Sequence, residues 1–208
     1  MKILFYSSKG GQGKTTHAIS YAKHRGALYF TNDYESGTVE IYKDIFPEDQ
    51  LHIIRNEDSL NLPVDLDVVF DFGGWVDERI ESIAKICDVL VVPLFYQSMA
   101  DLMPCIKTVN TLKGLNENVV ILINNTDKKD VDDLKKGLNK KFPERKIFVV
   151  NKSKFIPRLA NEGKTIDRLS NENPLNRYLL SGLLSQLNEF YNYLDNSPYA
   201  PRWRKIPA

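Results

Sequence analysis

Short apolar runs alternate with amphipathic segments along most of the chain. Seven of these runs predict β-strands, and several are apolar enough to be buried on both faces of a sheet. The predicted strands are Lys2 to Ser7, Ala27 to Thr31, Leu51 to Arg55, Asp67 to Phe72, Val89 to Phe95, Val119 to Asn124 and Lys146 to Val150. Strands that alternate with helices predict a three-layer α/β fold, in which a mainly parallel twisted sheet carries helices on both faces.

Between the strands, apolar residues recur at helical spacing. Three such faces consist of Val76, Ile80, Ile83 and Ala84; of Leu102, Ile106 and Val109; and of Val131, Leu134 and Leu138. A longer stripe near the C-terminus consists of Leu175, Tyr178, Leu179, Leu183, Leu187, Phe190, Tyr191 and Leu194. Because the polar face of this last helix carries little positive charge, we expect it to pack on the core and not on a membrane surface.

Composition and charge are those of one globular domain. The chain has 208 residues, of which 42% are hydrophobic and 26% charged, so it is long enough to bury a core. We predict one domain over residues 1–195 and a basic, proline-containing tail over residues 196–208. The formal net charge of +1 argues against a uniformly basic nucleic-acid binder, so any contact with DNA must come from a local patch.

The cysteine and histidine content and the absence of targeting segments indicate the cellular compartment. The two cysteines and three histidines show no metal-binding spacing, and so few thiols fit a reducing compartment. The sequence shows neither a signal peptide nor an apolar run long enough to span a bilayer. We therefore expect a cytoplasmic protein.

The most informative segment follows the first predicted strand and reads Ser8-Lys9-Gly10-Gly11-Gln12-Gly13-Lys14-Thr15-Thr16. A glycine-rich turn that opens a helix arranges backbone amides around a phosphate, and the helix N-terminus adds favourable partial charge. Lys14 would reach the β- and γ-phosphates, and the Thr15 hydroxyl could ligate Mg²⁺. We predict an ATP site formed by residues 10–16, with Mg²⁺ as its metal ion.

This loop resembles that of the deviant Walker A ATPases of the ParA/MinD group, whose pattern K-G-G-x-G-K-[TS] is matched from Lys9 to Thr15. The resemblance implies a P-loop NTPase fold and an ATP-dependent dimer in which Lys9 reaches the phosphates held by the other subunit. A cation supplied in this way would stabilise charge on the transferring phosphoryl group, as an arginine finger does. The alternative is that Lys9 is a solvated loop lysine.

Two carboxylates are predicted beside the loop. Asp71 ends a buried apolar run and suits the Walker B role of holding Mg²⁺. Where ParA-like proteins carry D-x-D-x-Q-G, this chain has Thr31, Asp33 and Glu35 at the three characteristic positions. The resemblance assigns Asp33 to positioning the attacking water, and the alternative is a helix-cap or turn residue.

Two further features depend on the same resemblance. Asn124 ends a predicted strand, where the resemblance places an asparagine against the adenine base; the alternative is a turn former. Gly73 and Gly74 stand where the family more often has proline, in a segment that would respond to the nucleotide. The segments 155–158 and 162–166 resemble the part of ParA proteins that follows the last strand.

The resemblance implies a short ParA-type partition ATPase that hydrolyses ATP slowly without its partner. It would bind nonspecific double-stranded DNA as a homodimer and associate with the nucleoid. Its partner would be a centromere-binding ParB-like or small adaptor protein. The resemblance leaves open whether the homodimers form higher assemblies. The preferred DNA contacts are Lys152, Lys154, Arg158, Lys164 and Arg168, and a second set lies over residues 128–146. The alternatives are a MinD-like membrane-positioning ATPase and a nucleotide-gated adaptor with little hydrolysis.

Overall fold

All seven predicted strands form one sheet in the computed structural model, which describes residues 1–33, 37–55, 58, 65–73 and 79–197. The strands are β1 (Lys2–Tyr6), β2 (Leu28–Thr31), β3 (Leu51–Ile53), β4 (Val68–Phe72), β5 (Val89–Leu94), β6 (Val119–Thr126) and β7 (Lys146–Asn151). Their order is β3-β2-β4-β1-β5-β6-β7, and every neighbouring pair is parallel. The predicted fold class is confirmed, and no predicted strand end is wrong by more than two residues.

Helices cover both faces of this sheet. They are α1 (Lys14–Arg25), α2 (Thr38–Tyr42), α3 (Arg79–Ile86), α4 (Met99–Leu112), α5 (Lys128–Lys141), α6 (Ile156–Glu162), α7 (Ile166–Asn171) and α8 (Pro174–Asp195). A 3₁₀ turn over Lys43–Ile45 follows α2. Successive residues of a strand point to opposite faces, so Ile3 and Phe5 pack with α1, α6, α7 and α8, while Leu4 packs with α3, α4 and α5.

The predicted inward faces of the middle helices are mostly confirmed. Ile83 and Ala84 of α3 are buried, as are the three predicted residues of α5. On α4, Val109 is buried, whereas Leu102 and Ile106 are only partly covered. Val76, predicted on the same face as Ile83, lies outside the described residues.

The apolar stripe of α8 is a core face only in its C-terminal part. Leu183, Leu187, Phe190, Tyr191 and Leu194 are buried, but Leu175, Tyr178 and Leu179 are exposed, which corrects the prediction for these three. At 100° per residue the inward face continues towards the N-terminus through Leu180 and Asn176. The Asn176 amide accordingly donates to the Leu169 carbonyl at 3.1 Å.

Parallel strands bring their carboxyl ends to one edge of the sheet, and the segments that follow β1, β2 and β4 meet there. Thr31 of β2 and Phe5 of β1 both pair with Asp71 of β4. Open α/β sheets bind ligands at this edge. In the part of the chain that the structure describes, no helix has the length and apolar character needed to cross a bilayer.

Candidate nucleotide-binding site

A cavity of about 580 Å³ opens at the carboxyl edge of the sheet. It is lined by Gly10, Gly11, Gln12, Gly13, Lys14, Thr15, Thr16, Asn32, Asp33, Asp71 and Gly73. The loop needs glycine at Gly11 and Gly13, whose φ angles of 73° and 84° lie in the left-handed region. The structure thus brings the predicted loop and both predicted carboxylates to one space.

Lys14 begins α1 and is the one cationic side chain among the described residues that line this cavity. It is only 8% exposed, and burial lowers its pKa, while the charges of Asp71 and Asp33 act in the opposite direction. A buried ammonium with two carboxylates nearby would gain further stabilisation from a bound polyphosphate. Its contact to the β- and γ-phosphates stays a prediction.

Asp71 is 1% exposed and lies against β2. Its Oδ2 accepts a hydrogen bond from the Tyr29 hydroxyl at 2.7 Å, while its buried Oδ1 has no hydrogen-bond partner among the described residues. Burial raises the pKa of this carboxyl, and hydrogen bonds from Tyr29 and Thr15 partly offset that effect. An unsatisfied buried carboxylate oxygen beside a threonine hydroxyl is a donor set that fits Mg²⁺.

Asn32 joins the ends of two strands on the carboxylate side of the cavity. Its amide donates to the Gly73 carbonyl at 3.2 Å and accepts from the Gly73 amide at 3.0 Å. The neighbouring Asp33 is half-buried, and its backbone amide donates to Thr31 Oγ1 at 3.0 Å. Glu35 and Gly74, which the sequence also predicts in this region, lie outside the described residues.

Gln12 ties the phosphate loop to the ends of β5 and β6. Its side-chain oxygen accepts from the Phe95 amide at 2.9 Å, and its carbonyl accepts from Asn124 Nδ2 at 3.1 Å. Asn124 Oδ1 in turn lies 2.7 Å from Nε2 of His17, a fully buried residue of α1. Burial lowers the pKa of His17, so a neutral imidazole with Nε2 protonated satisfies this contact.

Asn124 therefore lies beneath the loop, 3% exposed, with both ends of its amide bonded inside the protein. A contact to adenine would have to use the second Nδ2 hydrogen or the second lone pair of Oδ1, and that role stays a prediction. The packing is close, because a Cβ built on Gly13 would come within 2.1 Å of Asn124 Nδ2. Glycine is thus required at position 13 both by the nearby Asn124 side chain and by the positive φ angle.

Lys9, the additional lysine of the loop, does not line the cavity. Its Nζ lies 2.5 Å from Asp101 Oδ1 and donates to the Ala100 carbonyl at 3.1 Å. Asp101 is buried at the start of α4, where its other oxygen accepts from the Gln97 and Ser98 amides at 2.9 and 3.0 Å. The contact with Lys9, with smaller contributions from those amides, lowers the Asp101 pKa.

The residues predicted to contact DNA are mostly engaged within the chain. Arg158 and Lys164 both pair with Glu162, and Lys164 also pairs with Glu172. Lys152 pairs with Asp127 at 3.1 Å. The other two predicted contacts, Lys154 and Arg168, are exposed and form no ion pair with any described residue.

Sequence reasoning missed several residues that shape the site, among them Tyr29, Asn32 and His17. Their spacing in the sequence does not identify them, because each forms a hydrogen bond with a residue more than 40 positions away. The role of Asp101 was also missed, although Ser98-x-x-Asp101 is a capping-box pattern that predicts the start of a helix. The structure confirms that capping box.

No protein-family model matches the sequence, and no curated protein matches it. Solved structures do match over nearly the whole chain. A putative plasmid partition protein from Borrelia burgdorferi bound to AMPPNP has a TM-score of 0.61 at 14% identity, covering 91% of this chain and 98% of that one. A McdA–ATP complex from Cyanothece has a TM-score of 0.58 at 15% identity, covering 90% and 96%.

A third structure, the cell division ATPase MinD from Pyrococcus furiosus, has a TM-score of 0.60 at 12% identity and covers 91% of this chain and 98% of that one. These similarities establish a shared fold, because the identities are too low to transfer an activity. The chain has the fold of the ParA/MinD-type ATPases.

Proposed function

We propose that this chain is a DNA partition ATPase that dimerises on Mg-ATP, binds double-stranded DNA without sequence preference, and hydrolyses ATP slowly until a centromere-binding partner stimulates it. The observation that carries this proposal is the placement of the two loop lysines. Lys14 lies inside the cavity with Asp33 and Asp71, whereas Lys9 is directed to Asp101, outside its own cavity. Because Lys9 lies outside its own cavity, it can serve a second subunit once it gives up its ion pair with Asp101.

The predicted site residues that line the cavity have positions that support their proposed roles. The backbone amides of the loop and Lys14 would hold the phosphates, and Asp33 would orient the attacking water. Thr15 and Asp71 would hold Mg²⁺, which neutralises phosphate charge when it is bound. Lys9 of a partner subunit would stabilise the charge that develops on the transferring phosphoryl group.

ATP binding and dimerisation would control DNA binding, and the partner would end it by stimulating hydrolysis. The partition protein from Borrelia burgdorferi among the similar structures supports a role in DNA segregation, and a cytoplasmic, nucleoid-associated location would follow. Since the net charge of the chain is only +1, binding would depend on a local basic surface and weaken steeply with salt.

Binding to a double-stranded DNA fragment of arbitrary sequence, measured with ATP, ADP and no nucleotide at low and moderate salt, tests the proposal. We expect salt-sensitive binding with ATP only, together with slow ATP turnover. Absence of DNA binding in every state, with ATP binding intact, would contradict the partition role. A chain that binds ATP and DNA but never turns over, even with its partner, would instead be a nucleotide-gated adaptor.

A membrane-positioning ATPase is the second candidate, and one observation favours it. Leu175, Tyr178 and Leu179 form an exposed apolar group at the start of α8, and Arg177 lies exposed among them. Apolar side chains beside a cation suit the interface of an anionic bilayer. Cosedimentation with vesicles of mixed neutral and anionic lipid, with and without ATP, separates this candidate from the first.

A further inference from the structure

The two basic regions of the chain differ in how their charges are compensated. In the region of α6 and α7, Arg158 lies 2.8 Å from Glu162, and Lys164 lies 2.7 and 2.5 Å from Glu162 and Glu172. A cation held in such a pair must give up its carboxylate before it can bind a phosphate. These ion pairs make α6 and α7 a poor surface for a polyanion.

Helix α5 has the opposite character. Six of its residues are exposed lysines, and we name them the α5 lysine face: Lys128, Lys129, Lys135, Lys136, Lys140 and Lys141. Within the described residues, the one ion pair that they form joins Lys136 to Asp133 at 3.9 Å, with both side chains more than 80% exposed. Such a pair is worth little in water. Against three aspartates of the same helix, the six lysines leave a formal net charge of +3.

The geometry of α5 suits a row of phosphates. Val131, Leu134 and Leu138 are buried against the sheet, so Lys129, Lys136 and Lys140 follow one line on the outer side at spacings of seven and four residues. Fourteen residues of helix span about 21 Å, over which duplex DNA presents many phosphates. The exposed positions of α5 are all polar or glycine, which excludes insertion into a bilayer.

We propose that the α5 lysine face is the surface that contacts the DNA backbone. It replaces the contacts that the sequence favours, which are Lys152, Lys154, Arg158, Lys164 and Arg168. This inference rests on the proposed function, because it assumes that the chain binds DNA. Lysine ammonium groups act as point charges towards phosphate and read no base edges, so the binding is nonspecific. The helix follows β6 directly, the strand whose Asn124 supports the phosphate loop.

Two charge-matched double variants test the assignment. The first is Lys136→Glu with Lys140→Glu, on the α5 lysine face. The second is Lys154→Glu with Arg168→Glu, which reverses the two predicted contacts that form no ion pair with any described residue and are therefore best able to bind DNA. Neither variant touches the cavity, so the Kd for ATP, measured by calorimetry, and the melting temperature should match the wild type and confirm intact folding.

DNA affinity with ATP is then measured over a series of salt concentrations. We expect the α5 variant to lose at least about tenfold in affinity and to have a salt slope smaller by about 2, because each lost phosphate contact removes about 0.9 from the slope. The Lys154/Arg168 variant should keep the wild-type slope. A second α5 variant, with Lys136→Ala and Lys140→Ala, should show the same direction with a smaller loss.

The opposite pattern, in which only the Lys154/Arg168 variant loses affinity and slope, would overturn the inference and leave the proposed function standing. Equal losses in both variants would also overturn it, since they indicate a response to net charge alone. Failure of the wild-type protein to bind DNA in any nucleotide state would refute the partition role itself, and with it any DNA surface.

Discussion

The cavity has a phosphate side, formed by the loop over residues 10–16, and a carboxylate side, formed by Asn32, Asp33, Asp71 and Gly73. The two sides are held in place differently. On the phosphate side, bonds from distant segments fix the loop: Gln12 is held by the ends of β5 and β6, and Ser8 donates through its backbone amide to Thr108 Oγ1 of α4 at 3.3 Å. On the carboxylate side, the Asn32 amide links the ends of β2 and β4. Among the described residues, the phosphate side is thus tied to α4, β5 and β6, whereas the carboxylate side is tied across the ends of β2 and β4.

The two sides of the cavity should therefore respond differently to substitution. Changes on the phosphate side should impair nucleotide binding, because they disturb backbone amides that must converge on an anion. Changes on the carboxylate side should impair turnover and leave binding largely intact, because Asp33 acts on water and not on the phosphate grip. Four experiments with five substitutions and one control follow, from the largest expected effect to the smallest.

Gly13→Ala should have the largest effect. Its new Cβ would collide with Asn124 Nδ2 at 2.1 Å, and its φ of 84° is unfavourable for alanine, which together should cost roughly 1–3 kcal/mol in stability and disrupt the loop. We expect ATP binding to become undetectable by calorimetry. Gly137→Ala is the control, because its Cβ meets nothing within 4 Å in α5 and should stabilise the protein by about 1 kcal/mol. Normal ATP binding by Gly13→Ala would show that the Asn124 contact does not shape the loop.

Lys14→Ala and Lys9→Ala separate the two loop lysines. Removal of Lys14, which lines the cavity, should weaken ATP binding by at least about a hundredfold, the scale of a lost charge-assisted contact in a buried site. Removal of Lys9, which lies outside the cavity, should leave the Kd for ATP within about threefold of the wild type but abolish the ATP-dependent dimer, seen by light scattering after gel filtration. Equal loss of nucleotide binding in both variants would refute the action of Lys9 on a second subunit.

Asp33→Asn tests the carboxylate side. The amide keeps the shape of the side chain but cannot act as a base, so turnover should fall by about a hundredfold or more while the Kd for ATP changes little. Phosphate release over time and calorimetry provide the two measurements. Unchanged turnover would assign Asp33 to the turn role that its position after β2 also permits.

His17→Gln should have the smallest effect, visible only as a change in the pH dependence of stability. Burial lowers the pKa of His17, so the unfolded chain takes up a proton below about pH 6.5 that the folded chain does not, and wild-type stability falls with decreasing pH. Glutamine can donate to Asn124 but does not titrate, so it should remove up to about 1 kcal/mol of the loss between pH 7.5 and 5.5. Urea unfolding at several pH values measures this, and an unchanged pH profile would mean that the pKa of His17 is the same in the folded and unfolded chain.

The sequence by itself determined the strands, the parallel sheet and the phosphate loop. Each of these depends on local information: apolar runs at strand length, and glycines with a lysine and threonine at fixed spacing after a strand. The burial of α5 was likewise predictable from Val131, Leu134 and Leu138, which recur at helical spacing. Local patterns were less informative for α8, where an apolar stripe included Leu175 and Tyr178 although both point away from the core.

Only the tertiary structure decided how the site is held together. The partners of Gln12, Lys9 and Asp71 are brought to them by strand order and helix packing, which no spacing in the sequence encodes. The same is true of Asn124, whose place at a strand end was predictable but whose amide is committed to the loop by His17. A side chain's type limits the bonds that it can make, but only the folded chain determines which partner comes within about 3 Å of it.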